Sequence, residues 1–288
     1  MSEIIAFMNM KGGVGKTTLA VNVAYTLAKL SSKRVLLVDM DPQMNATQYC
    51  MSMKQVERIL KDKNQSIFGL LNNEYSLKIN KTSNSGDYQR KISDEDALKG
   101  KRKKDPWIHR VSNNLDMIPS TLEVMYLNLS STPHKLRRYL KNQIDGEYGY
   151  IIIDCPPTIS PYTKAALLAA DKYVVPTKAE VFTTLGLPLL QRYIEQVILD
   201  ASGHDLEFLG VILNMVDERR KMYKKGKASL SEKYKNKLFE SELSNREDIA
   251  KAIDDDLSKE KYLFEIKNPE VKNEIINITK ELVRRLKK

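Results

Sequence analysis

The sequence predicts an α/β fold: a mostly parallel, twisted sheet with helices on both faces. Three observations carry this. An apolar run, Ile4–Met8, passes through a glycine-rich turn, Lys11–Thr18, into a helical pattern ending at Leu30. Further runs, Arg34–Asp39 (RVLLVD), Tyr150–Asp154 (YIIID) and Phe208–Asn214 (FLGVILN), lack polar alternation, as expected of strands covered on both faces. Helical-period segments separate these runs, which is the order of a parallel sheet with crossover helices. The 288 residues suit one large domain, and residues 1–288 are read as one.

The first helix, from Lys16, places Leu19, Val23, Ala24, Leu27 and Leu30 on one face, toward the sheet. The turn before it has the chemistry of a phosphate cradle. Gly12, Gly13 and Gly15 let the backbone approach a ligand closely, and successive N–H groups form an anion nest at a helix N-terminus. Lys16 brings a positive charge for the β- and γ-phosphates, and the Thr17 hydroxyl suits Mg²⁺. The common pattern has glycine five residues before Gly15. Here that position is Met10, and a second lysine, Lys11, stands beside it.

On these residues the sequence resembles the deviant Walker A ATPases, which include ParA-type partition ATPases, MinD division-site proteins and the nitrogenase iron protein. The resemblance implies a P-loop NTPase fold that binds ATP with Mg²⁺. It implies a nucleotide site of Lys11, Gly12, Gly13, Val14, Gly15, Lys16, Thr17 and Thr18, with Lys11 reaching across a dimer to the partner's nucleotide.

The second strand ends in Asp39-Met40-Asp41-Pro42-Gln43-Met44-Asn45, at the edge where open α/β sheets bind ligands. The family carries the same stretch, and by resemblance Asp41 orients the attacking water and joins the metal shell. For Asp39, capping a loop competes evenly with a direct role. Short helical patterns at Lys54–Lys61 and Ser66–Leu71 precede a polar insertion, 73–106, read as surface loop, with basic Lys101–Lys104 and with Trp107 as its anchor to the core. Asn114–Ser120 reads as a strand. Leu122–Leu129 and Lys135–Ile144 read as helices broken by Pro133.

Tyr150–Asp154 is the second strong signal. A strand-end aspartate there can face Thr17 and hold Mg²⁺ through water, so the predicted metal residues are Thr17, Asp41 and Asp154. Cys155 reads as a packing residue, since no general base is evident near it. A helix Pro161–Ala170, a strand Lys172–Pro176 and a helix Leu185–Leu199 follow. The family has a proline and glutamate comparable to Pro176 and Glu180. It also implies that Asn214 contacts adenine; a turn role is the alternative.

Residues 217–288 read as a basic helical region. Between Asp217 and Lys237, Arg219, Arg220, Lys221, Lys224, Lys225, Lys227, Lys233, Lys235 and Lys237 face only three acidic residues. Leu238–Leu243 reads as a last strand. Asn268-Pro269 opens a helix with an apolar stripe of Val271, Ile275, Ile278, Leu282 and Leu286. The net charge of +10 favours polyanionic partners. Arg219, Arg220, Lys221, Lys224, Lys225, Lys227, Arg284 and Arg285 are the predicted DNA contacts.

Two cysteines exclude a disulfide framework and argue against an iron–sulfur carrier, and no apolar run is long enough for a membrane span. The chain opens directly into a strand, so no signal peptide is expected, and a cytoplasmic, nucleoid-associated protein is. The resemblance implies an ATPase that dimerises on ATP, binds DNA non-specifically and answers to a centromere-binding partner, either ParB-like or a small adaptor. The alternative is a MinD-like membrane switch, which needs a terminal helix free to enter lipid.

Overall fold

The computed structural model describes residues 1–72, 105–180, 183–199, 203–254 and 261–287. Most of the 73–106 insertion, including Lys101–Lys104, lies outside them, as does Lys288. Among the described residues a seven-stranded sheet has the order β3-β4-β2-β5-β1-β6-β7. The strands are β1 Glu3–Phe7, β2 Val35–Asp39, β3 His109–Ser112, β4 Leu115–Ile118, β5 Tyr150–Asp154, β6 Lys172–Thr177 and β7 Glu207–Leu213. All neighbours are parallel except the edge pair β3–β4. Every residue of β2 and β4 is buried, as a strand with helices above and below requires.

One face is covered by α1 Lys16–Leu30 and by the long C-terminal helix Pro269–Leu286, which pack on each other. The other carries the paired helices Lys135–Asn142 and Pro161–Ala169. Numbered in chain order, the remaining helices are α2 Asn45–Cys50, α3 Met53–Lys61, α4 Ile67–Leu71, α7 Thr183–Tyr193, α8 Lys221–Tyr234 and α9 Glu247–Asp254, so the pair just named is α5 and α6 and the last helix is α10. Trp107 does anchor its segment: it is 4% exposed and meets the Tyr139 ring edge-on at 5.8 Å. In α10, Asn268 Oδ1 accepts from the Glu270 and Val271 N–H groups, and Pro269 fills the first turn. Val271, Ile275, Ile278 and Leu282 are fully buried, so this stripe is spent on the core.

Several elements differ from expectation, for identifiable reasons. Leu122–Leu129 is not an α-helix but a 3₁₀ turn, Leu122–Tyr126, followed by a second at Leu129–Ser131. Leu122, Met125 and Tyr126 are exposed, so no apolar face packs to sustain a longer helix. Leu238–Leu243 is not a regular strand. Phe239 and Leu243 bond to Val211 and Leu213 of β7, but the intervening Glu240 and Ser241 N–H groups donate to the Glu281 carboxylate of α10. The helix expected at Leu185–Leu199 begins at Thr183 and widens into a π-turn over Ile194–Leu199. The short polar strand β3 and the six-residue α2 had no clear periodic signal.

Candidate functional site

Sheet register assembles the site. Asp154 at the end of β5 is level with Phe7 of β1 on one side and with Asp39 of β2 on the other. The glycine turn that follows β1 therefore lies beside both carboxylates. A cavity of about 650 Å³ opens there, lined by Gly12, Gly13, Gly15, Lys16, Thr17, Thr18, Asp41 and Pro157, with α2 and α3 forming its far wall.

Gly15 ends the turn at φ 74°, ψ 31°, a left-handed conformation that favours glycine, and α1 starts there with no side-chain cap. The free N–H groups of its first turn are thus left for an anion. A Cβ at Gly15 would also lie 2.4 Å from Asn214 Nδ2. That amide, 1% exposed, donates to the carbonyls of Val14 (2.8 Å) and Gly15 (3.1 Å). Asn214 therefore braces the turn from the end of β7. Asn9 braces its other half: Nδ2 donates to the Pro176 carbonyl at 2.8 Å and Oδ1 accepts from the Lys11 N–H at 2.9 Å.

The two lysines have opposite surroundings. Lys16 is 7% exposed, and its Nζ lies 3.5 Å from the Lys11 carbonyl oxygen. Burial pulls its ammonium below the ordinary range, while Asp154 is foremost among the groups that oppose this. Lys11 projects outward, its side chain 44% exposed, and forms an ion pair with Glu180 of the same chain.

The three carboxylates also differ. Asp39 is fully buried and accepts from Thr47 N (2.9 Å), Thr47 Oγ1 (2.7 Å) and Asp41 N (3.0 Å). It fastens the loop that carries Asp41, as a capping residue does. Its carboxyl is pushed up to about 7, chiefly by burial. Asp41 lines the cavity and accepts from the Gln43 N–H at 2.9 Å. Asp154 is fully buried, and neither oxygen has a hydrogen-bond partner. Burial, then Asp39, pushes its carboxyl well above the usual range, while Thr17 and Lys16 pull it back. A buried, unpartnered carboxylate needs a cation or its water shell. Among the described residues no group of three or more His, Cys, Asp or Glu side chains forms a metal cage. Mg²⁺ does not need one, since it keeps waters and takes substrate phosphate oxygens beside one or two protein groups. Thr17 and Asp154 fit that requirement.

Cys155 is 1% exposed and its thiol is pushed up by burial, as a packing residue would be; Cys50 is buried too and pushed up to about 12.

The predicted basic residues are placed unequally. Tyr223, Gly226, Leu230 and Tyr234 bury one side of α8, leaving Lys221, Lys224 and Lys225 exposed, with Arg219 and Arg220 in the turn before it. Those two arginines pair with Asp217 but stay 90% and 73% exposed. Lys227 is held by Glu242 at 2.7 Å and by the Tyr223 hydroxyl at 3.0 Å. Arg284 stays 56% exposed. Arg285 departs from expectation. Its side chain is 14% exposed and donates to the carbonyls of Leu209, Asn236 and Leu238 and to Glu281. It clamps α10 to the 236–240 segment and is withdrawn from the candidate DNA face.

A family model described as an AAA domain matches residues 2–208. The sporulation initiation inhibitor protein Soj of Bacillus subtilis is 34% identical over 224 residues, covering 76% of this chain and 75% of that protein. The chromosome-partitioning ATPase Soj of Thermus thermophilus is 33% identical over 235 residues, covering 82% and 78%. Among solved structures, a plasmid partition protein from Borrelia burgdorferi bound to AMPPNP superposes with a TM-score of 0.72 at 25% identity, covering 99% of this chain and 100% of that one. With its phosphate turn, second lysine and strand-end aspartates in this arrangement, the chain belongs to the ParA/Soj-type partition ATPases of the deviant Walker A P-loop family.

Proposed function

We propose that this protein is a DNA partition ATPase that dimerises on ATP, binds DNA non-specifically and is stimulated by a centromere-binding partner, ParB-like or a small adaptor. The observation that carries the reading is the sheet register, which brings Lys16, Thr17 and Asp41 to one cavity, with Asp154 buried behind Lys16 and Thr17, while Lys11 points away from it. A lysine beside a phosphate loop but directed outward suits a nucleotide held by a second copy. The names of the relatives point the same way.

In this reading Lys16 and the turn's N–H groups hold the phosphates, and Thr17 and Asp154 hold Mg²⁺. Bound Mg²⁺ neutralises charge developing on the transferred phosphoryl group. Asp41 orients the attacking water and Lys11 stabilises transition-state charge across the dimer, so catalysis is positioning and electrostatics. The adenine takes a smaller apolar cavity of about 270 Å³ behind the turn, bounded by Asn214, Met215, Leu243 and Ile249. Asn214 thus serves both as brace and as wall. Exposed Arg219, Arg220, Lys221, Lys224, Lys225 and Arg284 form the DNA face, reading phosphates rather than bases. The protein would then act on the nucleoid.

The membrane-switch alternative loses its main support because the apolar stripe of α10 is buried against the core. No helix among the described residues is long and apolar enough to cross a membrane. The test is phosphate release from ATP, with and without Mg²⁺, beside co-sedimentation with DNA and with anionic liposomes. Mg²⁺-dependent hydrolysis and ATP-dependent DNA binding are expected. Liposome binding in preference to DNA would overturn the partition reading.

A further inference from the structure

The segment after β6 touches both the phosphate turn and the basic helix. Glu180 pairs with Lys11, their side chains 41% and 44% exposed. That ammonium holds the Glu180 carboxyl below the usual carboxylate range. From the other side, α8 closes on the Ala179–Glu180 peptide itself. A Cβ on Gly226 would lie 2.7 Å from the carbonyl carbon and oxygen of Ala179 and 3.2 Å from the Glu180 nitrogen. Only glycine allows so close an approach without displacing that peptide. Arg220, just before α8, also acts electrostatically on Glu180. Asn9 also ties the phosphate turn to the end of β6, donating to the Pro176 carbonyl and accepting from the Lys11 N–H.

An ammonium facing a carboxylate presents little net charge to a second anion. As long as Glu180 holds it, Lys11 is a poor partner for phosphates on another protomer. The pair is half-exposed, so it is weak enough to open when a stronger anion competes. We propose that Glu180 is a latch that holds Lys11 within the separate protomer, that α8 seats the latch through Gly226, and that assembly of the ATP dimer must break the Lys11–Glu180 pair. This rests on the reading of Lys11 as a residue that acts across the dimer. Glu180 acts only through Lys11, so it is a positioning residue. The arrangement also links the nucleotide site to the basic helix, since releasing the latch frees the peptide on which α8 rests.

Sedimentation velocity over a dilution series with ATP tests this, alongside calorimetric titration of ATP under conditions where the protein is monomeric. Glu180→Gln is expected to associate at about three- to tenfold lower protein concentration than wild type, since two weak pairs open per dimer, with ATP affinity of the monomer unchanged. Glu180→Asp, which keeps the charge, should stay near wild type. Gly226→Ala should shift association in the same direction as Glu180→Gln. The latch is overturned if Glu180→Gln associates at the wild-type concentration or a higher one, or if Glu180→Asp behaves like Glu180→Gln. An unchanged Gly226→Ala removes α8 from it. A wild type that stays monomeric with ATP, or a Lys11→Ala variant that associates like wild type, removes the reading of Lys11 itself and the latch with it.

Discussion

The phosphate turn and the basic helix α8 are both lysine-bearing segments, and they differ in what fixes their side chains. The turn is held by buried, long-range hydrogen bonds from Asn9 and Asn214, and its Lys16 is sunk among carboxylates. The α8 region holds its charges at the surface, where Lys221, Lys224 and Lys225 are exposed and Arg219, Arg220 and Lys227 pair with neighbouring acids. In the turn, residue type and spacing determine chemistry, because the backbone geometry admits few alternatives. On α8 and α10, charge count overstates what is offered to a partner, since Lys227 and Arg285 are already engaged.

The largest effect should come from Lys16→Ala. Removing a buried charge that faces phosphate is expected to weaken ATP binding by at least about 100-fold, measured by calorimetric titration. Wild-type affinity would break the assignment of the turn.

Arg285→Ala is expected next, and as a loss of stability rather than of DNA binding. It leaves three carbonyls and the buried Glu281 short of a donor, a cost of about 2–4 kcal/mol in denaturant unfolding. Lys224→Ala, on the exposed side of α8, should change stability by less than about 0.5 kcal/mol. Equal values for the two would erase the distinction between clamp and surface.

Asn214→Ala should cost about 1–3 kcal/mol, because the Val14 and Gly15 carbonyls lose their buried donor. The loss should show both in unfolding and in weaker nucleotide affinity. A variant with altered stability but unchanged affinity would limit Asn214 to a structural part.

The smallest effect concerns DNA. Alanine at Arg219, Arg220, Lys224 and Lys225 should leave ATP turnover intact and make the salt dependence of DNA binding shallower, by about 0.9 in log–log slope for each lost phosphate contact. An unchanged slope would move the DNA face elsewhere on the protein.

The sequence was legible where function depends on neighbours in the chain. The turn from Lys11 to Thr18, the strand-end Asp154 and the Asp39–Asn45 stretch all lie where their local pattern implied. What could not be read was pairing at a distance. Thr47 fastens Asp39 from eight residues away, Asn9 reaches Pro176 across 167 residues, and Lys11 meets Glu180 across 169. No local period encodes such contacts. The Leu238–Leu243 segment misled for a related reason: Phe239 and Leu243 do bond to β7, but Glu281 of α10 takes the Glu240 and Ser241 N–H groups that a sheet ladder would use. Likewise Arg285 reads as one more charge in a basic tail until the carbonyls around it are in place.

The central claim is that Lys11 acts on a second protomer while Lys16 acts on its own nucleotide. The most direct test uses Asp41→Ala, in which ATP should bind but turn over slowly, so that any ATP dimer persists. Sedimentation velocity of Asp41→Ala with ATP should show a dimer. Adding Lys11→Ala should return the protein to monomer, with ATP affinity in the titration within about twofold of the Asp41→Ala parent. A Lys11→Ala/Asp41→Ala protein that still dimerises with ATP would contradict the claim.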